Sequence, residues 1–298
     1  VTSPNGSPLV SVLIPAFNRV HFIEETLNSV LEQDYPNIQL IVVDDGSTDG
    51  TYERLRHYAE QGMLTLLNHP ERMNRGQSAS LNLALEAARG DYIGVLDSDD
   101  CFLPGKLRKQ VDYLEAHPDI GLVYGMGEAI DEDGKWLYDI HGTDHVEPND
   151  PNAVLLDCYM LLPQNSLVRA SVYEQVGFFE ETFRASQDHD MLIRMAEVTR
   201  FAFIPQKLFQ YRRHGDSISS RGAERRWKTG FEILRRARRR YPYRRSTIRR
   251  RSAVLHFRMG QVCLDEGKVM TAVSYFVKSG VLDPARAFRV ISGRERVS

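Results

Sequence analysis

Three short apolar runs, each breaking into a polar loop, constrain this chain more than any other feature. They are Val10–Ile14, Leu40–Val43 and Tyr92–Leu96. Each is near-continuously apolar, so each reads as a strand buried on both faces. Leu64–Leu67 is a further strand candidate. Helical spacings lie between them: His21–Glu32 (with Phe22, Ile23, Leu27, Val30 and Leu31), Thr51–Glu60 and Gln77–Ala88. This alternation predicts an α/β fold, a mainly parallel sheet with helices on both faces and right-handed crossovers.

Past Asp100 the pattern continues. A helix is expected over Pro104–His117, with Pro at its start, and a strand over Gly121–Gly125. Asp131–Lys135 reads as the turn of a hairpin between strands ending near Ile130 and starting near Trp136. Pro148–Pro151 marks a loop. A polar stretch, Glu180–Asp190, leads into a helix over Asp190–Val198, and strands follow at Arg200–Ile204 and Leu208–Tyr211. From Arg221 onward only helical patterns remain. Ser246–Glu266 and Lys268–Gly280 are separated by Gly267, with Ala253, Leu255, Met259 and Cys263 facing Ala272, Tyr275 and Phe276. The pair is similar to one helical hairpin of a tetratricopeptide-type repeat, and one unit is fewer than such solenoids need. The expected organisation is therefore a main α/β domain over 1–220 and a basic helical appendage over 221–298.

The length of 298 residues allows one large domain with such an appendage. Val1–Pro8 is small, polar and Pro-containing, and reads as a flexible lead-in. No stretch is long and apolar enough to span a bilayer, and none reads as a signal peptide. The three cysteines, Cys101, Cys158 and Cys263, form neither a CxxC pattern nor an even-numbered disulfide framework, which favours a reducing, cytoplasmic setting. Formal net charge is −2, but Arg221–Arg251 contains only Glu224 and Glu232 as acids. A basic block beside an acidic half suggests an anionic partner: a membrane surface, a nucleic acid or a charged glycan. A solvated helix face has the same composition.

The chemistry-bearing residues follow the strands. Asp97-Ser98-Asp99-Asp100 places three carboxylates within four residues at the end of the Tyr92–Leu96 run. They repel one another unless a cation sits among them, and hard oxygens suit Mg²⁺ or Mn²⁺. Ligands of open α/β sheets bind outside the carboxyl ends of the strands. Alternation points Asp97 and Asp99 the same way, so one can hold a ribose and the other the ion. After the first strand, Pro15, Ala16, Phe17 and Asn18 can offer backbone and an aromatic face to a base. After the second, Asp44 and Asp45 can accept from ribose hydroxyls or a base imide. Asn74-Arg75-Gly76 opens a helix whose free N–H groups and Arg suit a phosphate or a base carbonyl. Gln187-Asp188-His189-Asp190 supplies either a helix cap or a general base for a sugar hydroxyl. In Tyr211–Ser219, Arg212 can clamp a diphosphate and His214 can ligate the metal.

Taken in order, Val10–Asn18, Val42–Thr51, Asn74-Arg75-Gly76, Asp97–Asp100, Gln187-Asp188 and Tyr211–His214 resemble a family 2 glycosyltransferase of the GT-A fold over roughly Pro8–Ser219. The resemblance implies inverting transfer of a sugar from a nucleoside-diphosphate donor, usually a UDP-sugar, to a hydroxyl of a glycan or lipid-linked acceptor in polysaccharide biosynthesis. It implies Phe17 and Asp45 beside the base, Arg75 near the nucleotide, and Asp97 on ribose or metal. Asp99 would bind Mn²⁺ or Mg²⁺ and Asp188 would be the base. Gln187 stands where the family often has Glu, which removes a negative charge beside that base. The basic helices would then touch anionic headgroups, a peripheral placement at the inner face of the membrane. A nucleotidyltransferase is disfavoured because Ala16–Arg19 lacks a glycine-rich phosphate loop. A dinucleotide oxidoreductase is disfavoured because no GxGxxG follows the first strand. A non-catalytic glycan- or nucleic-acid-binding protein, working through the Arg-rich helices, is the alternative.

Overall fold

A computed structural model of the chain describes residues 6–158, 163–215 and 222–291. Most of the Val1–Pro8 lead-in, and Asp216–Ser219 of the polar loop, lie outside the described residues. In chain order the elements of the first half are β1 (Val10–Ala16), α1 (Ile23–Leu31), β2 (Ile38–Asp44), α2 (Thr51–Glu60), β3 (Thr65–Asn68), α3 (Gln77–Ala87), β4 (Tyr92–Val95), β5 (Cys101–Phe102) and α4 (Lys106–Ala116). They continue with β6 (Ile120–Ile130), β7 (Trp136–Ile140), α5 (Pro151–Leu156), β8 (Ser166–Arg169), α6 (Ala170–Val176), α7 (Gln187–Ala196) and β9 (Arg200–Arg212). Four helices follow: α8 (Ala223–Arg240), α9 (Arg245–Asp265), α10 (Val269–Leu282) and α11 (Pro284–Ile291). The chain divides into two compact units, Val1–Asn149 with Tyr159–Gly215, and Asp150–Cys158 with Asp216–Ser298.

The first unit is built on a nine-stranded sheet ordered β3-β2-β1-β4-β8-β6-β9-β5, with β7 on the flank of β6. Strands β1 to β4 are mutually parallel, and β6 and β9 run parallel to each other. Strands β5, β7 and β8 are antiparallel to their neighbours, so the sheet is mainly parallel. β1 is buried along its whole length, as a strand covered on both faces must be. Helix α1 turns Ile23, Leu27 and Val30 into the core, the i, i+4, i+7 stripe of an amphipathic helix. The hairpin at Asp131–Lys135 forms, with Asp131 N donating to the Lys135 carbonyl at 2.9 Å.

Three expectations are corrected. The strands at Arg200–Ile204 and Leu208–Tyr211 are one strand, β9. Its register against β6 steps from Gly125↔Ile204 to Met126↔Lys207, so Pro205 and Gln206 form a bulge. Proline has no N–H for the ladder, and the strand accommodates it by bulging rather than by ending. Helix α7 begins at Gln187, not Asp190; Ser186 before it is left-handed at φ 59°, and Asp188 and Asp190 both fall in the first turn. Carboxylates are favourable there, near the positive end of the helix. The Pro148–Pro151 segment is not wholly loop. Pro151 opens α5, and the Asp150 side chain accepts from Asn152 N at 3.0 Å as its cap.

The described residues of the second unit beyond Gly222 are helical, as the pattern after Arg221 predicts. The stripes on α9 and α10 meet: Ala253, Leu255, Met259, Cys263 and Ala272 are buried. The Phe257 and Phe276 rings lie 5.4 Å apart.

The sheet makes one sharp prediction. Gly127 of β6 faces the wholly buried Phe209 of β9, and a Cβ there would fall 2.0 Å from the ring. Gly127→Ala must displace the ring or spread two central strands. Its expected cost is about 1–3 kcal/mol, read from the urea unfolding midpoint.

Candidate functional site

The C-terminal ends of β1, β2 and β4 open onto one edge of the sheet, and three loops interlock there. Asn18 is left-handed at φ 53°. Its N–H donates to Ser47 Oγ at 3.0 Å, and its Oδ1 accepts from Thr48 N at 2.8 Å. Phe17 beside it is solvent-exposed, while Pro15 and Ala16 are buried. Asp44 is buried and accepts from Ser47 N. Asp45, also buried, accepts from Arg75 N at 2.7 Å and Gly76 N at 2.8 Å. Asn74 Nδ2 donates to the Asp45 carbonyl at 3.0 Å. Both Asp45 oxygens therefore engage the backbone that opens α3, so Asp45 positions that loop. The Arg75 side chain is left exposed at the helix start. Gly46 is required here: at φ +79°, a Cβ would meet the Arg72 carbonyl at 2.5 Å.

The acidic cluster follows β4. Gln77 Nε2 donates to Asp97 Oδ1 at 2.7 Å, and Gln77 Oε1 accepts from Gln187 Nε2 at 2.7 Å. When ionised, the Asp97 carboxylate can only accept, which fixes the orientation of both amides. This chain ties the starts of α3 and α7 to the end of β4. Asp99 Oδ2 accepts from Arg19 Nε at 3.0 Å and faces His214 Nε2 at 2.9 Å. Burial, then the charges of Asp99 and Asp188, push the Asp97 carboxyl up to about 7; Arg19 and the Gln77 amide oppose the shift. Asp188 thus stands within electrostatic reach of Asp97. It is half-buried in the first turn of α7, and its Oδ1 accepts from His189 N at 2.8 Å. Ser98 is buried between the two acids.

Asp100 is structural. Its Oδ1 accepts from Arg212 N at 2.8 Å, its Oδ2 accepts from Gln164 Nε2 at 2.8 Å, and burial pushes its carboxyl well above the usual range, with Asp99 and Asp97 adding. Arg212 is equally committed. Its guanidinium donates to Glu25 at 2.6 Å and to the carbonyls of Asp99, Asp131 and Glu132. These bonds brace the loop that carries Asp99. Arg19 and Gln77, which no sequence motif singles out, contact the acids directly. Nothing local marks them, because their partners lie 80 and 20 residues away in the chain.

The donor set fits a hard divalent cation. Asp99 and His214 converge, Asp97 adjoins them, and their negative charge exceeds what Arg19 offsets. Among the described residues no group of three His, Cys, Asp or Glu side chains is placed to hold a metal ion by itself. Mg²⁺ and Mn²⁺ sites that also take substrate phosphates need no such group.

A family model described as glycosyl transferase family 2 matches residues 11–177. An uncharacterized glycosyltransferase of Rickettsia conorii is 31% identical over 224 residues, covering 72% of this chain and 35% of that protein. A putative teichuronic acid biosynthesis glycosyltransferase of Bacillus subtilis, TuaG, is 42% identical over 110 residues, covering 37% of this chain and 43% of that protein. The chain spans about a third of the length of the first curated relatives it matches, between 31% and 36%. Among solved structures, S. aureus TarS 1–349 in complex with UDP-GlcNAc matches at a TM-score of 0.69 and 18% identity, over 91% of this chain and 81% of that one. The mannosyltransferase PcManGT from Pyrobaculum calidifontis, in complex with GDP-Man and Mn²⁺, matches at 0.64 and 21% identity, over 99% and 82%. At such identities the likeness speaks to fold, which is of the GT-A type.

The raised Asp97 pKa sets a pH dependence. The folded state holds a proton that the unfolded chain releases at the ordinary value of 3.8, so between 3.8 and about 7 the folded form binds more protons. Stability of the metal-free protein therefore falls as pH rises through that window. Asp97→Asn keeps the oxygen that Gln77 bonds and removes the titration. The variant's thermal midpoint should match wild type at the acid end and exceed it above the window.

Proposed function

The chain belongs to glycosyl transferase family 2, and we propose that it catalyses inverting transfer of a sugar from a UDP-sugar to a hydroxyl of a glycan or lipid-linked acceptor in polysaccharide biosynthesis. The observation that carries the proposal is the convergence of Asp97, Asp99, His214 and Arg19 at the end of β4, with Asp188 in electrostatic reach. The UDP-GlcNAc in the TarS complex supports the donor class, and the name of TuaG supports the pathway class. The transferase is assigned to residues 1–220 and the basic appendage to 221–298.

In this reading the exposed Phe17 ring stacks on the base, beside the Pro15–Asn18 backbone, and Arg75 meets the nucleotide at the start of α3. Asp97 receives a ribose hydroxyl or the ion. Asp99 and His214 would hold Mn²⁺ or Mg²⁺, which when bound neutralises charge on the departing diphosphate; the Mn²⁺ in the PcManGT complex supports that choice. Arg19 holds the Asp99 carboxylate in place. Asp188 takes the proton of the acceptor hydroxyl as its oxygen attacks the anomeric carbon in line. The new C–O bond forms on the face opposite the breaking C–O(phosphate) bond, so the configuration inverts. The proton ends on Asp188 and the electron pair on the diphosphate oxygen. Gln187, neutral where a second acid is common, adds no further negative charge to a site that already raises Asp97.

Asp188→Asn should lower transfer by about 10²–10⁴-fold while leaving UDP binding intact. Loss of UDP binding in that variant would mean a structural role. Calorimetric titration with UDP, GDP and other nucleoside diphosphates, with and without Mn²⁺, tests the donor and the metal together. UDP should bind best, Mn²⁺ should strengthen it, and Asp99→Ala should erase the metal effect. Preference for GDP would change the donor and keep the chemistry.

A further inference from the structure

Helix α10 is apolar on both sides, and only one side is covered. Between Val269 and Leu282 the single charged residue is Lys278. The inner side packs on α9: Ala272 is buried, the Phe276 ring occupies the space over Gly260, and Ser279 Oγ donates to the Ala253 carbonyl at 2.9 Å. The outer side shows Met270 at 83% exposure, Val277 at 60% and Val281 at 75%, with Val273 between them. Spacing of i, i+3, i+7 and i+11 puts these four in one stripe along the helix. A helix that is hydrophobic all round is ordinarily buried, and a contiguous exposed apolar stripe marks an interaction surface.

The charge around the stripe identifies what covers it. Residues 222–291 carry eighteen Lys and Arg against five Asp and Glu. Around α10 itself, Lys268 precedes it and pairs with Glu266 at 2.7 Å, Lys278 lies along it, and Arg286 and Arg289 follow on α11, against the acids Glu266 and Asp283. A second copy would bring this excess of positive charge against itself, which disfavours self-association through this unit. Nucleic acid would satisfy the charge but gains nothing from Met270, Val273, Val277 and Val281, which have neither hydrogen-bond donors nor stacking rings. An anionic bilayer satisfies both. Apolar side chains enter the headgroup–acyl boundary while Lys and Arg stay at the phosphates.

We propose that the outer stripe of α10, with its basic flanks, is a docking surface for an anionic lipid bilayer. The proposal rests on residues 222–291 alone, and it stands or falls independently of the transfer chemistry. The test is flotation of the full chain with phosphatidylcholine vesicles, with and without phosphatidylglycerol. Wild type should float with the phosphatidylglycerol vesicles, weaken as salt is raised, and stay behind with pure phosphatidylcholine. The double variant Met270→Glu/Val277→Glu should bind at least about tenfold more weakly, and Lys268→Gln and Lys278→Gln about fivefold each. Both variant residues are exposed, so helical circular dichroism should be unchanged. Failure of wild type to float with anionic vesicles overturns the proposal, as does flotation of the double variant equal to wild type. A dimer in sedimentation equilibrium that the double variant dissolves would assign the stripe to a second copy, and would overturn it too.

Discussion

The mutual repulsion of carboxylates at the end of β4 is the constraint on which the site depends. Two unit charges about 4 Å apart interact by about 4 kcal/mol where the effective dielectric is that of a protein surface. Three acids in four residues persist only because each has a different compensation. Asp99 has the Arg19 guanidinium and His214. Asp97 has the Gln77 amide and a raised pKa. Asp100 is turned inward onto Arg212 N and Gln164, where burial favours its neutral form. The strain left over, between Asp97, Asp99 and Asp188, is of the sign that a cation relieves.

The sheet supplies these compensations through its topology. Strand β5 begins one residue after Asp100 and pairs antiparallel with the end of β9, Cys101 opposite Gln210. That register delivers Arg212 and His214 to the acids from more than a hundred residues away. Arg212, nearly inaccessible, then stitches together α1 through Glu25, the β4–β5 loop through the Asp99 carbonyl, and the β6–β7 hairpin through Asp131 and Glu132. On the other flank the Gln187–Gln77–Asp97 chain joins α7 and α3 to the same loop. Asp97, Asp99 and His214 lie in loops, and the hydrogen bonds of these loops to α1, α3, α7 and β9 hold them in place.

The strands, most helices and the acidic motifs were legible because their signals are local. A near-continuous apolar run such as Leu40–Val43 has few other places to go, and a helix such as Thr51–Glu60 carries its own periodicity and breakers. The bulge at Pro205–Gln206 was not legible, since a proline signals interruption without saying whether the strand resumes. The hydrogen-bond partners of Arg212 and Asp45 are hidden from the sequence for a related reason. A charged residue in a motif looks available until its partners are known, and these are mostly backbone groups, which every residue type carries, with the distant Glu25 carboxylate on Arg212. Arg19 and Gln77 were missed because their value lies wholly in contacts with distant carboxylates.

Sequence by itself determined the strand–helix alternation, the clustering of acids where β4 ends, and the basic, apolar-sided character of the C-terminal helices. Those follow from periodicity and composition, which act over a few residues. Tertiary structure alone decided which acids are half-buried and which are buried, which arginine remains exposed and which is consumed, and which side of α10 is covered. Hydrogen bonds and burial depend on what the fold brings alongside, and the chain does not encode that as a local pattern.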